Sequence, residues 1–594
     1  MKRRHFLKSS AFFTIAAASG TLTACRSAQE PRDSPGSHVF PQGVASGDPR
    51  DRSVVLWTRC TATRPDADVV PLHVEVSTQR DFSALVASVP LRALRSFDFT
   101  VRAKITGLRP STTFYYRFVA GRDSSPMGKT RTAPLPNDAN TLVRFAWLTC
   151  QDWSVNHWEA MKLIAAETDL DFVVHVGDYI YETVGTPTLD AVEPAHSRIT
   201  LPHGRPLAGG GQYAESLDDY RSLYRTYRSD PRLQALHRQF PMIAIWDDHE
   251  FTDDCWQDHQ TYTNEQQRET QRRRNATQAW AEYMPVDWSD VRFDDVNPAY
   301  DNIRIYRAFQ FGSLMQLVMT DERLYRDSQS VSASGIARAR GHDPVHGDDA
   351  VGSRYFVERG LLERSEAQAA NRLGRSPSIL GSEQTRWWKA TLKSSSATWK
   401  VWGNEVMLNR LWVDLPSKQD GSTSFVVNGD SWDGYPAHRH ELLAWLSQQA
   451  IRNIVAITGD LHAFQCGVLR DGHDPSTGQP VAVDFVCAGI SSTSFYAYIR
   501  QAWRGTPLAP LVASAAAFDA FLRSNNPGLR YVDHDAQGYA SATVTPEHFA
   551  VVYNKVRRLT GDGKPQPDLV PQRVRLTVSR DRSDVMVESL SANA

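Results

Sequence analysis

The chain has 594 residues, 41% of them apolar and 22% charged, with a formal net charge of −1. That length exceeds one ordinary core and asks for two or three domains, and the composition excludes a chain dominated by disorder, a coiled coil or a repeat array. Near-neutrality leaves no electrostatic footprint for a polyanion, and losing Lys2, Arg3, Arg4 and Lys8 with the first 24 residues would take the charge only to −5, so no nucleic-acid partner is expected.

Residues 1–24 read as an export signal. Arg3 and Arg4 stand ahead of Phe6-Leu7-Lys8, and the apolar stretch from Ala11 to Ala24 is shorter than the roughly 20 residues a spanning helix needs. The arginine pair resembles a twin-arginine signal, which implies the twin-arginine export machinery as a partner and a periplasmic, cell-surface or secreted destination. Leu22-Thr23-Ala24-Cys25 resembles a lipobox, in which Cys25 would carry a lipid anchor. An ordinary cleavage site beside an incidental cysteine explains it equally well. Residues 25–38 are polar and rich in Pro and Ser, a flexible tether. The six cysteines are sparse for an exported chain of this size and form no disulfide framework.

Residues 39–137 form an all-β unit by pattern. Ser53–Thr58, Leu72–Ser77, Phe99–Ile105 and Phe114–Val119 alternate with period two between turn residues, and the segment from Ile105 to Tyr116 resembles the tyrosine-corner region of a fibronectin type III sandwich. From residue 141 to 594 the pattern becomes α/β. The apolar run Leu142–Thr149 ends at Cys150, Phe172–Val176 at Gly177-Asp178, Met242–Trp246 at Asp247-Asp248, and Ile454–Thr458 at Gly459-Asp460. Helices are expected between them, over Trp158–Thr168 and Leu217–Tyr227. Each buried strand delivers a polar residue just past its C-terminal end, where open α/β sheets place ligands. The stretches Gly185–Gln212 and Ser328–Pro377 read as long polar loops around an entrance.

Three motifs and one cysteine carry chemistry. In Gly177-Asp178-Tyr179-Ile180-Tyr181-Glu182 the carboxylate can bridge two cations, and Tyr181 could offer a phenolate to a strong Lewis acid such as ferric iron. A helix-capping Asp beside a core Tyr is the plainer reading. In Trp246-Asp247-Asp248-His249-Glu250 packed carboxylates are costly unless cations neutralise them, although a surface acidic turn would look the same. Gly459-Asp460-Leu461-His462 pairs a carboxylate with an imidazole two residues on, as a metal pair would use; a surface His is the alternative. Cys150 is either a thiolate ligand to iron or a buried core residue.

The order of Cys150 and these three motifs resembles the alkaline phosphatase D family within the calcineurin-like metallophosphatases, and the likeness runs over almost the whole mature chain. Further stretches carry it: Gly43–Pro49, Val55–Arg59, Asp321–Arg326, Leu380-Gly381 with Gln384 and Trp387, Trp399–Val401 and Asp430–Tyr435. The resemblance implies a four-layer αββα catalytic domain behind a fibronectin-like sandwich. It implies Fe3+ held by Cys150, Asp178, Tyr181 and His462, with one or two Ca2+ ions held by Asp178, Asp248 and Asp460. An Asp at 248 and another at 460 stand where related purple acid phosphatases carry an asparagine and a histidine, and hard oxygens suit calcium. Asn404 is an additional candidate ligand. The expected activity is hydrolysis of a phosphate-ester substrate, monoester or diester, by a water whose pKa the metals lower. His249 is placed to stabilise the transition state or protonate the leaving alcohol, or else only to hydrogen-bond a carboxylate. Arg323 would grip phosphate oxygens or serve as a structural ion pair. Three alternatives stand: a phospholipase D-like phosphodiesterase acting on lipid headgroups, a cell-surface binding protein with a degenerate phosphatase domain, and a nuclease, which lacks its basic stripe.

Overall fold

Two large sheets organise the chain. The computed structural model describes residues 13–18, 35–167, 169–196, 198–207, 209–261, 267–289, 300, 303–331, 355–415, 424–474, 476–560 and 562–590. The Arg3-Arg4 pair and Cys25 lie outside them. In the first sheet, three short apolar strands, Val143–Leu148, Phe172–Val176 and Pro241–Ile245, run parallel at the centre. Four antiparallel strands from Gly538–Val544 to Met586–Leu590 extend one side. The second sheet has Met315–Met319, Trp399–Gly403, Ile454–Thr458 and Pro480–Val486 in parallel as its core.

Period-two alternation divides the core. In the second sheet Val401, Val455, Ile457, Val483 and Phe485 join the cluster that contains Phe145, Phe172 and Phe549 of the first sheet. Trp402, Ile454, Ala456 and Ala482 turn the other way, onto Trp388, Leu392, Leu442 and Leu446 of helices Gly381–Ser394 and Pro436–Gln448. The sheets therefore face each other, with these helices on the far side of the second. Helices Glu159–Ala166, Leu217–Tyr227, Pro231–Gln239 and Thr270–Tyr283 pack into the first cluster. Leu217–Tyr227 starts at a capping box made by Ser216 and Asp219, which fixes its boundary. All five cysteines among the described residues are buried and unbridged.

The N-terminal strands form a second cluster of their own, built from Val54, Leu56, Val74, Val76, Phe114 and Phe118. Their sheet does not stop at a domain boundary. Val44–Gly47 pairs with Ser53–Arg59 on one side and, in parallel, with Pro241–Ile245 on the other, so strands of the β unit continue the first sheet. At its outer edge Phe13–Ala17, in the segment read as an export signal, lies parallel to Thr100–Thr106, where an apolar run covers an otherwise open edge.

Two loop expectations change. Short strands Thr183–Val184, Arg205–Pro206 and Gln212–Tyr213 pair within the first polar insertion. The second contains strand Tyr355–Glu358 and helix Arg359–Leu373, closed by Gly374 in the left-handed region at φ 68°. That helix buries only Leu362 and Ala369, so its apolar stripe is too thin to register as a periodicity.

The seam between the β unit and the central strands of the first sheet depends on Gly47, since a Cβ there would collide with the backbone carbonyl oxygens of Pro285 and Met242. Gly47→Ala should destabilise the protein by about 1–3 kcal/mol, as overpacking does, seen as a lower denaturant midpoint. An unchanged midpoint would mean the seam is loose.

Candidate metal centre

All the central strands end at one edge. Cys150 follows Val143–Leu148, Asp178 follows Phe172–Val176, Asp247 and Asp248 follow Pro241–Ile245, and Asp460 and His462 follow Ile454–Thr458 of the facing sheet. Gly459 lets the two sheets close here. A Cβ on it would lie 3.0 Å from Val176 Cγ2 and run into the Thr149 hydroxyl. Cys150, Asp178, Asp460 and His462 all have left-handed backbone, with φ of 54°, 57°, 60° and 56°. Each such residue stores of order 1–3 kcal/mol of strain, which the surrounding contacts must hold in place.

The side chains converge. Cys150 Sγ, an Asp178 oxygen and a His462 nitrogen lie within 4.8 Å of one another. The Tyr181 hydroxyl is 3.1 Å from Asp178 Oδ2, 3.2 Å from His462 Nε2 and 2.8 Å from Ser492 Oγ. His462 Nδ1 donates to the Thr493 carbonyl at 2.8 Å, which turns the Nε2 lone pair toward this group. Asp178 also meets Asp248 and His249 within 4.8 Å, Asp248 meets Asp247 and Asp460, and Asp248, Asp253 and Asp254 form a fourth group. All six residues expected as metal ligands are thus brought to one place. Asn404 is not: its amide donates to the Val406 carbonyl and Thr458 Oγ1 and accepts from Trp432 Nε1, which ties it into the core.

Three further contacts set the frame. Glu250 accepts from the backbone N–H groups of Asp178 (3.1 Å), Tyr179 (2.6 Å) and Asp247 (2.8 Å), clamping two donor loops together. His249 stacks on Tyr181 with ring centroids 4.1 Å apart and donates from Nδ1 to Glu182 at 2.7 Å. Arg323 is fully buried, donating to Asp247 and, at 2.5 Å, to Asp430, with Nη2 at 3.8 and 3.6 Å from Asp248 and Asp460. Its guanidinium faces protein carboxylates from behind, the geometry of the ion pair that the sequence left as its second reading.

The electrostatics fit cations. Asp178, Asp247, Asp248 and Asp460 are all at most 5% exposed. Burial pushes Asp178 well above the usual carboxylate range, with Asp248, Asp247 and Glu250 adding to it against His249. Burial does the same to Asp247, against Arg323, and lifts the Cys150 thiol and the Tyr181 phenol, with Asp178 adding to both. Burial disfavours the His249 cation, but Glu182, Asp248 and Asp178 outweigh it and hold its pKa well above the ordinary histidine value. Oδ2 of Asp247 is buried without a hydrogen bond. A thiol, a phenol and crowded carboxylates of this kind are held as anions only with positive charge among them, and together with the neutral imidazole of His462 that donor set suits a transition metal beside an oxygen-seeking ion.

Comparison with known proteins agrees with this geometry. The family model "PhoD-like phosphatase" matches residues 145–553, and "PhoD-like phosphatase, N-terminal domain" matches residues 24–134. Alkaline phosphatase D of Bacillus subtilis (strain 168) is 30% identical over 542 residues, covering 89% of this chain and 79% of that protein. A solved structure of PhoD superposes with a TM-score of 0.72 at 27% identity, covering 94% of this chain and 93% of that one.

Sequence reading missed several residues of the centre. Asp247 was quoted within its motif without a ligand role, and Asp253 and Asp254 were not singled out at all; which of them turn inward is set by the loop after the strand. Ser492 and the half-exposed rim Tyr498, whose ring centroid is 6.2 Å from that of His462, carry no local signal. Glu250 was quoted within its motif, yet its role as a clamp depends on two loops meeting. Glu250→Gln replaces an acceptor of three N–H groups by an amide that can accept with one atom only. Cation affinity should fall about 10–100-fold in a calorimetric titration; unchanged affinity would remove Glu250 from the frame.

Proposed function

The chain belongs to the PhoD-like phosphatase family and is therefore a phosphoester hydrolase, and from that premise we propose that it hydrolyses phosphate monoesters and diesters with iron and calcium at the shared strand edge. Cys150, Asp178, Tyr181 and His462 would hold Fe3+, and Asp178, Asp248 and Asp460 would hold one or two Ca2+ ions, with Asp247 as an additional oxygen donor. The observation that carries the reading is that Asp178 and Asp248 each belong to more than one donor group, as a carboxylate between neighbouring cations must. Bound cations would supply the Lewis acidity that activates water and offsets the charge of the ester.

The chain's own groups do the rest. Glu182 fixes the proton on Nδ1 of His249 and orients the ring, so that Nε2 can donate to the leaving oxygen or to a phosphoryl oxygen. Arg323 holds Asp247 and Asp430 as a fixed counter-charge, keeping the carboxylates from drifting apart when the ester enters. The two facing sheets with helices outside support the four-layer αββα description, and the paired N-terminal sheets support the fibronectin-like one. Export by the twin-arginine route, with Cys25 as a lipid anchor, completes the proposal and rests on the N-terminal sequence.

Two experiments test it. Purified protein should contain iron and calcium by elemental analysis, and Asp178→Ala should lower turnover of an aryl phosphate at least about 100-fold with the circular dichroism unchanged. Full turnover in that variant would defeat the assignment, and a panel of a monoester, a diester and phosphatidylcholine would separate the substrate classes. In cells, changing Arg3 and Arg4 together to Lys should leave the protein in the cytoplasmic fraction; continued export would exclude the twin-arginine route.

A further inference from the structure

A second polar cleft lies well away from the metal centre. It opens beside Val468 and Arg470, in the strand Phe464–Arg470 that leads away from His462, so Val468 stands roughly 20 Å from His462 at about 3.3 Å per residue. The cleft is small and partly open to solvent, and Asn409, Arg410, Arg439, Arg470, Asp474 and Asn526 provide its polar lining.

Arg410 makes it unusual. The residue is 5% exposed, yet none of its three guanidinium nitrogens makes a hydrogen bond. The flat face rests on Trp412 at 4.6 Å, and Arg359 lies over the same indole at 3.6 Å, so two cations share one ring. The nearest carboxylate, Asp433 Oδ1, is 4.0 Å from Nε, beyond hydrogen-bond range, and is itself unbonded. Arg439 is 3% exposed and spends only Nε, on the Leu408 carbonyl at 2.7 Å. Burial and then the neighbouring Arg410 pull Arg439 down to about 9, and burial lowers Arg410 as well. At the rim Arg470 donates one bond to the Gly478 carbonyl. Asp433, Asp474 and Glu366 offset part of the Arg410 charge at a distance, but none accepts a hydrogen bond from it: Asp474 Oδ1 takes Ser476, Asp433 Oδ2 the Leu411 N–H and Glu366 Oε1 the Ala437 N–H.

A buried guanidinium with no acceptor loses its hydration and gains nothing for it. Arg410, with Arg439 beside it and Arg470 at the mouth, presents guanidinium donors from several directions to one small volume, while the amides of Asn409 and Asn526 are spent on Asp484 and on the Trp412 and Leu522 carbonyls. That geometry matches a tetrahedral oxyanion, which a guanidinium fork grips through paired N–H groups. We propose that this cleft is a second anion site, separate from the hydrolytic centre, in which Arg410, Arg439 and Arg470 bind a free tetrahedral oxyanion such as inorganic phosphate. A phosphate released by hydrolysis elsewhere on the molecule is one source of that ion, and bulk phosphate is another.

The test is direct binding, so its outcome does not depend on the hydrolytic reading. Inorganic phosphate is titrated calorimetrically into the full chain carrying Asp178→Ala, which weakens any phosphate held by the metal centre. A saturable phosphate site should remain, sulfate should compete for it, and acetate should not. Adding Arg410→Met should weaken phosphate about tenfold or more, while Arg410→Met alone should keep aryl-phosphate turnover within about twofold of the parent. Should Arg410→Met fail to fold, Arg470→Gln at the exposed rim must still weaken phosphate several-fold. Equal affinity with and without these arginines, no phosphate binding in the Asp178→Ala protein, or equal competition by acetate would overturn the proposal.

Discussion

The structure depends on keeping four carboxylates, Asp178, Asp247, Asp248 and Asp460, packed within reach of one another and out of water. Like charges at such spacing repel by several kcal/mol where water cannot screen them. The protein meets part of that cost itself. Glu250 collects three N–H groups into a single clamp, Arg323 is a buried cation in direct contact with Asp247, and Asp254 donates its N–H to Asp248 at 2.7 Å. Apart from His249, whose cation the same carboxylates favour, these contacts leave the open side toward Tyr181 and His462 without positive charge, and cations bound there would balance the group.

This constraint explains the local backbone. Four of the converging residues are held in left-handed conformations that Asp and His tolerate but Cys rarely adopts. Such turns redirect a side chain at the end of its own strand, and here they help loops from two separate sheets point at a common volume. The strain is retained because every one of these loops is bonded to a neighbour: Cys150 N to Gly177 O at 3.3 Å, Gln151 N to Asp178 O at 3.1 Å, and Ile490 N to Thr149 O at 3.0 Å. A loop that relaxed would break bonds in the next one.

Much of the centre was legible because it is local. An apolar run that stops at Gly-Asp or Asp-Asp is visible in sequence, and the four runs proved to be strands within a residue or two of the reading. The residues that were left open or missed work at long range. For Arg323 the sequence offered a phosphate grip and a structural ion pair alike, and the fold shows it bonded to Asp247 and Asp430. Helix Arg359–Leu373 was hidden by its thin buried face, although its Ala, Leu, Glu and Arg content favours helix. The Arg410 cleft has no sequence signature, since its arginines come from segments 29 and 31 residues apart.

The join between the two units bears on the centre as well. Val44–Gly47 pairs with Pro241–Ile245, the strand whose end carries Asp247 and Asp248, and Asp48 continues the pairing with its N–H on the Met242 carbonyl at 3.2 Å. Asp48 also binds Arg307, which in turn donates to the Ala244 carbonyl at 2.8 Å. On the neighbouring helix, Glu282 is held bidentately by Arg221 at 2.6 Å while its backbone carbonyl accepts from Trp57 of the β unit. Strand Pro241–Ile245 therefore lies between a ligand-bearing neighbour on one side and the N-terminal unit on the other. A strand so flanked cannot slide along its axis without breaking ladders on both sides, and sliding by one residue would exchange Asp247 with Asp248 at the cluster. On this argument the N-terminal β unit does more than pack against the enzyme: it fixes the register of the strand that aims two of the central carboxylates.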